Sequence, residues 1–141
     1  MKNKNSLILV LVIFLVVALV VLACAIVNSM FPEAAPISYP DSSSIMSFVL
    51  IQNDGSSVSV DMDDFNDFLQ NIRNAQPTRK WSVQDYPTAE AYYTLEISTA
   101  DRFYRYFIYT ENSQVYIEHP YEGIYKTTPY FLDTITEYFD K

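Results

Sequence analysis

The acidic run Asp61–Asp67 has the density of carboxylates that a calcium-binding loop requires. An EF-hand loop also needs a glycine at its sixth position and a glutamate at its twelfth, and Asn66 and Ile72 occupy those positions here. Apolar residues recur every three or four positions through this stretch, which is typical of an amphipathic helix. We therefore interpret the acids as the solvated first turn of a helix and expect no bound metal ion.

His119 is the one histidine of the chain and Cys24 is its one cysteine, so a zinc site could not collect its usual ligands. His119 adjoins Glu118, but neighbouring residues on a strand point to opposite faces of a sheet. The sequence also lacks the GxSxG element of many serine hydrolases. We expect His119 to bond a backbone group, and we predict no catalytic residue. Hydrolysis by a pair of carboxylates, with Glu118 or Asp85 among them, stays open as an alternative.

Composition excludes two further classes of function. The chain has two glycines, Gly55 and Gly123, which cannot build a glycine-rich phosphate cradle, so we expect no nucleotide cofactor. Its formal charge is -8, and from Asn28 onward 7 basic and 17 acidic residues give -10. A nucleic-acid surface needs clustered cations, whereas Arg79 and Lys80 form the single adjacent basic pair. We therefore expect no nucleic-acid partner.

Two segments concentrate the residue types that recognition surfaces favour. Residues 78–87 (TRKWSVQDYP) contain the single tryptophan, and residues 116–125 (YIEHPYEGIY) contain three tyrosines, which combine an apolar body with a polar tip. We predict a binding site that uses Arg79, Lys80, Trp81, Asp85, Tyr86, Glu118, Tyr121 and Tyr125. In the alternative interpretation, Trp81 and the tyrosines cap the core while Asp85 bonds loop amides. Gly123 is expected to adopt a backbone angle that other residues avoid.

The same two segments carry a resemblance to a known family. They resemble the signatures of an uncharacterised family, a domain of unknown function, whose members are small membrane-anchored extracellular domains of low-GC Gram-positive bacteria. The resemblance covers about residues 44–139. It implies a location and an architecture, and it carries over no catalytic residue.

Residues 1–27 must position these segments relative to a membrane. Leu7–Val27 is uncharged over 21 residues, which is long enough to cross a bilayer core of about 30 Å. The preceding Lys2 and Lys4 favour the cytoplasmic side, so the rest of the chain should lie outside. Either this segment is an uncleaved signal anchor, or its VLAC stretch is a lipobox in which Cys24 is lipidated. Both interpretations predict an outer domain anchored to the cell membrane.

Residues 28–43 contain three prolines and many small residues, which predicts an extended linker. Residues 44–141 then form an extracellular domain without cysteines, which its core must stabilise. Period-two patterns predict strands at 44–52, 57–60, 91–98, 102–110 and 114–119. Period-3.6 patterns predict helices at 62–74 and 129–139, the second with Thr128 as N-cap and Pro129 as its first residue.

The strand register also follows from the sequence. Pairing Ile97 with Tyr104 places apolar residues on one face and Glu96 opposite Arg105 on the other. The chain is therefore expected to be α+β in the order β-β-α-β-β-β-α, with an antiparallel sheet of about five strands and both helices on one face. A single domain of this kind on a membrane anchor suggests binding to an envelope protein or a cell-wall component, without enzymatic activity. The alternatives are a cell-surface hydrolase with a carboxylate pair and an inhibitor or immunity-type lipoprotein.

Overall fold

The computed structural model describes residues 2–140, so Met1 and Lys141, the outermost residues of the predicted anchor and domain, lie outside the described residues. The chain divides into two compact units, with the boundary between Glu33 and Ala34. The predicted linker 28–43 therefore spans this boundary, and residues 34–43 belong to the second unit.

The first unit contains one long helix, α1 (Lys2–Met30). Its uninterrupted run of helix-compatible apolar residues contains no proline or glycine, and every side chain from Lys4 to Met30 is exposed. Among the described residues, α1 is the one helix long and apolar enough to cross a membrane, by length and composition. Cys24 lies within it as a free, exposed thiol.

The second unit contains seven strands and two α-helices. The strands are β1 (Ile45–Gln52), β2 (Ser57–Ser59), β3 (Gln76–Pro77), β4 (Tyr93–Thr99), β5 (Phe103–Glu111), β6 (Gln114–His119) and β7 (Gly123–Thr127). The helices are α2 (Phe65–Arg73) and α3 (Pro129–Phe139), and short 3-10 turns cover Ser42–Ser44 and Met62–Asp64. Thr128 is the N-cap residue of α3 with extended backbone angles, although its hydroxyl makes no capping hydrogen bond.

The seven strands form one antiparallel sheet in the order β2-β1-β4-β5-β6-β7-β3. The mixed α+β class is confirmed, but the predicted count of about five strands is wrong. The predicted register is confirmed where Ile97 pairs with Tyr104 and Glu96 with Arg105. The turn between β5 and β6 fits its sequence as well, because Asn112 and Ser113 have positive φ angles of 51° and 62°.

The two strands that the sequence did not predict lie together at one edge of the sheet. β7 pairs with β6, and the two-residue strand β3 covers its other side through Gln76 and Lys126. The turn into β7 gives no recognisable signal, since it depends on Tyr121 adopting a φ of 63°, an angle uncommon for a tyrosine. β3 contains Pro77, a residue that is confined to edge positions and argues against a strand in sequence.

Gly123 does not have the unusual backbone angle that was expected of it, since the glycine with a positive φ among the described residues is Gly55, at 87°. Its role is steric. A Cβ atom at Gly123 would lie 2.5 Å from the Cβ of Ala34 and 3.3 Å from the hydroxyl of Tyr125. Glycine is therefore required because the chain from Ala34 passes directly over β7.

One face of the sheet and the two helices enclose the core. α2 and α3 bury apolar stripes against strands β1 and β4 to β7. Phe68 lies at the centre, with its ring 5.3 Å from that of Phe48 and 5.8 Å from that of Phe131. A hydrogen bond from Tyr138 of α3 to Asp64, which precedes α2, joins the two helices.

Residues 34–41, here called the strap, complete this face of the domain. Ile37 of the strap is buried in the core. The hydroxyl of Tyr106 donates to the carbonyl of Ser38 at 2.7 Å, and the hydroxyl of Tyr125 donates to the carbonyl of Ala35 at 2.9 Å. These bonds fix an otherwise irregular chain, which explains why residues predicted as linker are ordered on the sheet.

Candidate functional site

The opposite face of the sheet is covered by residues 78–92, here called the covering segment. Phe107 of β5 is fully buried beneath it, with ring centroids 5.7 Å from Tyr86 and 5.3 Å from Tyr92. Alternation along β5 places Phe107 on the face away from the helices. The segment is thus a layer packed on the sheet.

A buried carboxylate fastens the covering segment to β6. Glu118 is 3% exposed, and its oxygens accept hydrogen bonds from Ser82 at 2.7 Å and from Tyr109 at 3.3 Å. Burial, together with the neighbouring Glu118 carboxylate, raises the pKa of Tyr109 well above its usual range, so this hydroxyl remains a donor. Buried carboxylates require such partners, and Glu118 therefore holds the segment in place.

Two basic residues of this face are engaged in ion pairs. Lys80 pairs with Glu111 and lies 4.7 Å from the ring centre of Tyr116. The hydrogen bond with Glu111 raises the pKa of Lys80, which keeps the ammonium charged. The predicted pair of Glu96 and Arg105 is also present, at 2.8 Å. These pairs hold Lys80 and Arg105 in place on this face.

The covering segment presents apolar side chains to solvent on both sides of the buried Ser82. Ser82 is buried, while its neighbours Trp81 and Val83 are 63% and 74% exposed. Tyr121, which is 65% exposed, donates a hydrogen bond of 2.6 Å to Asp85 of the segment. Exposed large apolar side chains that are held in place are typical of interaction surfaces. We call this set the aromatic surface, and it comprises Trp81, Val83, Tyr86, Phe103 and Tyr121.

A shallow cleft of about 200 Å³ opens beside Asp85. Its lining residues are Asp85, Phe103, Arg105, His119 and Pro120. It combines an acid, a cation and an aromatic ring, but its volume is below the range of about 300–1,000 Å³ typical of small-molecule sites. We interpret the cleft as a shallow depression in the aromatic surface and not as a separate small-molecule site.

His119 faces the other side of the sheet, where its neighbour Glu122 accepts hydrogen bonds from Ser38 of the strap. Its ring is stacked 4.9 Å from that of Tyr106, and its Nδ1 lies 2.7 Å from a carboxylate oxygen of Glu122. This Nδ1 atom is buried and makes no hydrogen bond of good geometry within the described residues. Burial would raise the pKa of Glu122, but Ser38 and His119 together lower it. The expected backbone bond of His119 is replaced by these contacts.

The predicted site residues fall into two groups. Exposed positions on the side of the covering segment are held by Arg79, Lys80, Trp81, Asp85, Tyr86 and Tyr121. Glu118 lies beneath the segment, and Tyr125 is fully buried on the face that the strap and helices cover. Sequence reasoning missed Ser82 and Tyr109, the partners of Glu118, because a serine and a strand tyrosine carry no signal of such a contact. It also missed Phe103, which opens the strand beside the cleft.

Within the described residues, no group of three or more His, Cys, Asp or Glu side chains is placed to hold a metal ion. The contacts of the covering segment are hydrogen bonds, ion pairs and ring contacts. Exposed aromatic rings with polar groups beside them can bind a partner through ring contacts, cation–π contacts and hydrogen bonds.

Comparisons with known proteins find one similar solved structure and one family model. The chain is similar to a protein from Ruminococcus gnavus whose structure was solved by NMR, with 29% sequence identity and a TM-score of 0.58. The similarity covers 69% of this chain and 99% of that one, which supports the fold described above. A comparison with curated proteins finds no match. The family model DUF5301, described as "Domain of unknown function (DUF5300)", matches residues 33–126, from the residue before the strap to β7. The chain therefore belongs to this family of domains of unknown function.

Proposed function

We propose that this protein is a membrane-anchored binding domain that contacts another protein of the cell envelope through the aromatic surface. In this proposal α1 is the membrane anchor, with Lys2 and Lys4 on the cytoplasmic side and the domain outside. Anchoring through lipidated Cys24 is the alternative form of attachment and leaves the domain on the same side. This location is the one that the family resemblance in the sequence implies.

One observation carries the proposal: Trp81 is exposed although its neighbour Ser82 is hydrogen-bonded to a buried carboxylate. A tryptophan in water forgoes the hydrophobic stabilisation that its burial would bring, about 25 cal/mol for each Å² of apolar surface. The segment that holds it is fixed by Ser82, so Trp81 is presented by a constrained chain. Pre-ordered aromatic side chains lower the entropic cost of association.

Charge indicates the chemistry of the partner. The chain from Asn28 onward has a formal charge of -10, which favours encounter with a basic surface. Lysine and arginine side chains of such a partner could lie over the rings of Trp81 and Tyr121, in contacts worth about 0.5–1 kcal/mol at exposed sites. The preferred partner is therefore a protein that exposes lysine or arginine.

The hydrolase alternative has weaker support. Both oxygens of Glu118 accept hydrogen bonds beneath the covering segment, so a substrate would reach them after the segment had moved. A double variant, Glu118→Gln with Asp85→Asn, tests it, because a hydrolytic activity that this variant leaves unchanged would exclude catalysis by these carboxylates. An inhibitor or immunity role would use the same aromatic surface and differs in the identity of its partner.

The proposal is tested with the emission of Trp81, the one tryptophan of the chain. The full chain in phosphatidylcholine nanodiscs is mixed with fractionated envelope proteins, and we expect one fraction to quench or shift the emission to shorter wavelength. Tyr121→Ala and Tyr86→Ala should weaken that response about tenfold each, which corresponds to about 1.4 kcal/mol. Tyr130→Ala is the matched control, because Tyr130 is 67% exposed but belongs to α3.

Two results would contradict the proposal. One is an emission that no protein fraction alters, together with unchanged accessibility of Trp81 to a soluble quencher. The other is a response that Tyr130→Ala weakens as much as Tyr121→Ala does, since binding would then occur elsewhere on the domain.

A further inference from the structure

A groove of about 640 Å³ lies on the helical side of the domain, between the strap and α2. Its lining residues are Tyr39, Pro40, Asp41, Ser42, Asn66, Leu69, Gln70, Arg73 and Asn74. Its volume lies within the range of small-molecule sites. The aromatic surface lies on the other side of the sheet, so the groove is a separate feature and an inference from it does not depend on the proposed function.

One wall of the groove is a row of carboxamides on α2. Asn66, Gln70 and Asn74 follow one another at intervals of four residues, which aligns them on one face of the helical chain. Arg73 lies beside the row. Within the described part of the chain, the side chains of these four residues make no hydrogen bond or ion pair with one another or with other residues. Their donors and acceptors are therefore available to a ligand.

The other wall is formed by the strap and the 3-10 turn that follows it. Asp41 is held in place because its Oδ1 accepts hydrogen bonds from the backbone N–H and the hydroxyl of Ser43, at 2.9 and 2.7 Å. These bonds lower the pKa of Asp41 and keep it an acceptor. Tyr39 adds a ring that is 37% exposed, and Leu69 provides a buried apolar floor. The tyrosine hydroxyl bonds to Ser38 and Ala35 hold the strap that forms this wall.

The composition of the two walls determines which ligand fits. A carboxamide both donates and accepts hydrogen bonds, which matches the hydroxyl groups of a sugar. The ring of Tyr39 and the side chain of Leu69 offer apolar area to the C–H groups of a pyranose. Asp41 and Arg73 carry opposite charges, so the groove is neutral overall and does not favour a charged ligand. We propose that this groove binds a neutral saccharide.

The test uses the full chain in phosphatidylcholine nanodiscs, which avoids detergents with sugar headgroups. Two neutral probes, maltotetraose and chitotetraose, are titrated separately to about 10 mM while the side-chain NH₂ signals of asparagine and glutamine are followed by NMR. We expect at least one probe to shift the signals of Asn66, Gln70 and Asn74 with saturation. Asn71 serves as an internal reference, because its side chain donates to the carbonyl of Asp67 and does not line the groove.

Variants separate specific binding from general effects of the sugar. Gln70→Ala should weaken binding about tenfold, since its exposed side chain supports no contact within the fold, whereas Asn71→Ala should leave binding unchanged. Saturable shifts that Gln70→Ala weakens and Asn71→Ala preserves would support the proposal. Absence of saturable shifts with both probes would overturn it. Binding that Gln70→Ala leaves at the wild-type affinity would overturn it as well, because the amide row would then not be the site.

Discussion

Ser82 donates a hydrogen bond of 2.7 Å to the carboxylate of Glu118, across 36 positions of sequence and between two buried side chains. This contact joins the covering segment to the centre of the sheet. It explains how a segment with so many exposed apolar side chains remains ordered.

We therefore expect Ser82→Ala to destabilise the domain by about 1–3 kcal/mol, because a buried carboxylate would lose its shorter hydrogen bond. The change is measured as a lower urea midpoint in the near-ultraviolet circular dichroism of the tyrosines. Ser57→Ala is the matched control, since Ser57 is exposed on β2 and should alter the midpoint little. Equal midpoints for the two variants would show that the Glu118 contact does not stabilise the fold.

Stability should fall at high pH through Tyr138. Burial and the hydrogen bond to Asp64 raise its pKa to about 12 from the ordinary 10.0. The unfolded chain loses this proton near pH 10 while the folded chain retains it. The stabilising contribution of Tyr138 is therefore fully present below pH 10, and it is lost as the pH rises from 10 toward 12. Tyr106 and Tyr109, whose pKa values burial also raises, act in the same direction.

The contribution of Tyr138 is isolated by Tyr138→Phe, measured by urea unfolding from pH 8 to about pH 11. This variant should lose about 1 kcal/mol at neutral pH, from the missing hydrogen bond, and should show a shallower decline above pH 10 than the wild type. Tyr130→Phe should behave as wild type, because Tyr130 is exposed. A slope unchanged by Tyr138→Phe would assign the alkaline sensitivity to other groups.

Gly123→Ala should destabilise the domain by about 1–3 kcal/mol, because the added methyl group would overlap with Ala34 of the strap. The partner substitution Ala34→Gly removes the opposing methyl group, so the double variant should recover part of the lost stability. Thermal unfolding of the single and double variants measures both effects. Failure of Ala34→Gly to restore stability would show that contact with the strap is not the reason for the glycine.

The strap should loosen when its tyrosine hydroxyls are removed. Tyr106→Phe and Tyr125→Phe each delete one hydrogen bond, to Ser38 and Ala35, at a cost of about 0.5–1.5 kcal/mol. Hydrogen exchange detected by mass spectrometry should then be about 2- to 10-fold faster in peptides covering residues 34–41, with little change in β4. Equal acceleration in both regions would indicate global destabilisation instead.

Local signals in the sequence were sufficient to predict the hairpins β4–β5 and β5–β6. The pairing of β4 with β5 follows from the demand that Ile97 and Tyr104 share a buried face while Glu96 meets Arg105 on the other, and one register satisfies both. The edge formed by β7 and β3 was not predictable in this way. The edge depends on Tyr121 in a left-handed backbone conformation and on Pro77 in an edge strand. Tyrosine rarely adopts that conformation, and proline disfavours strands.

The sequence predicted which segments form the candidate surface, but not which of their side chains are exposed. Residue type indicated segment 78–87, yet composition alone could not show that Trp81 is exposed while Ser82 is buried, since that depends on the Glu118 carboxylate beneath. Tyr125 is the opposite case. It resembles Tyr121 in type, but its pairing with Ile117 directs it toward the core. The amide row of α2 became a candidate site only when the strap supplied its second wall.

The order in which the chain enters the domain has a mechanical consequence. A pulling force transmitted from the N-terminal side reaches the strap before it reaches β1, so it would act first on the backbone hydrogen bond of Ala34 with Thr78 and then on the two tyrosine hydroxyl bonds. Peeling the strap would lengthen the tether by up to about 3.3 Å for each released residue while the strands stayed paired. We therefore expect the strap to detach under tension before the strands of the sheet separate.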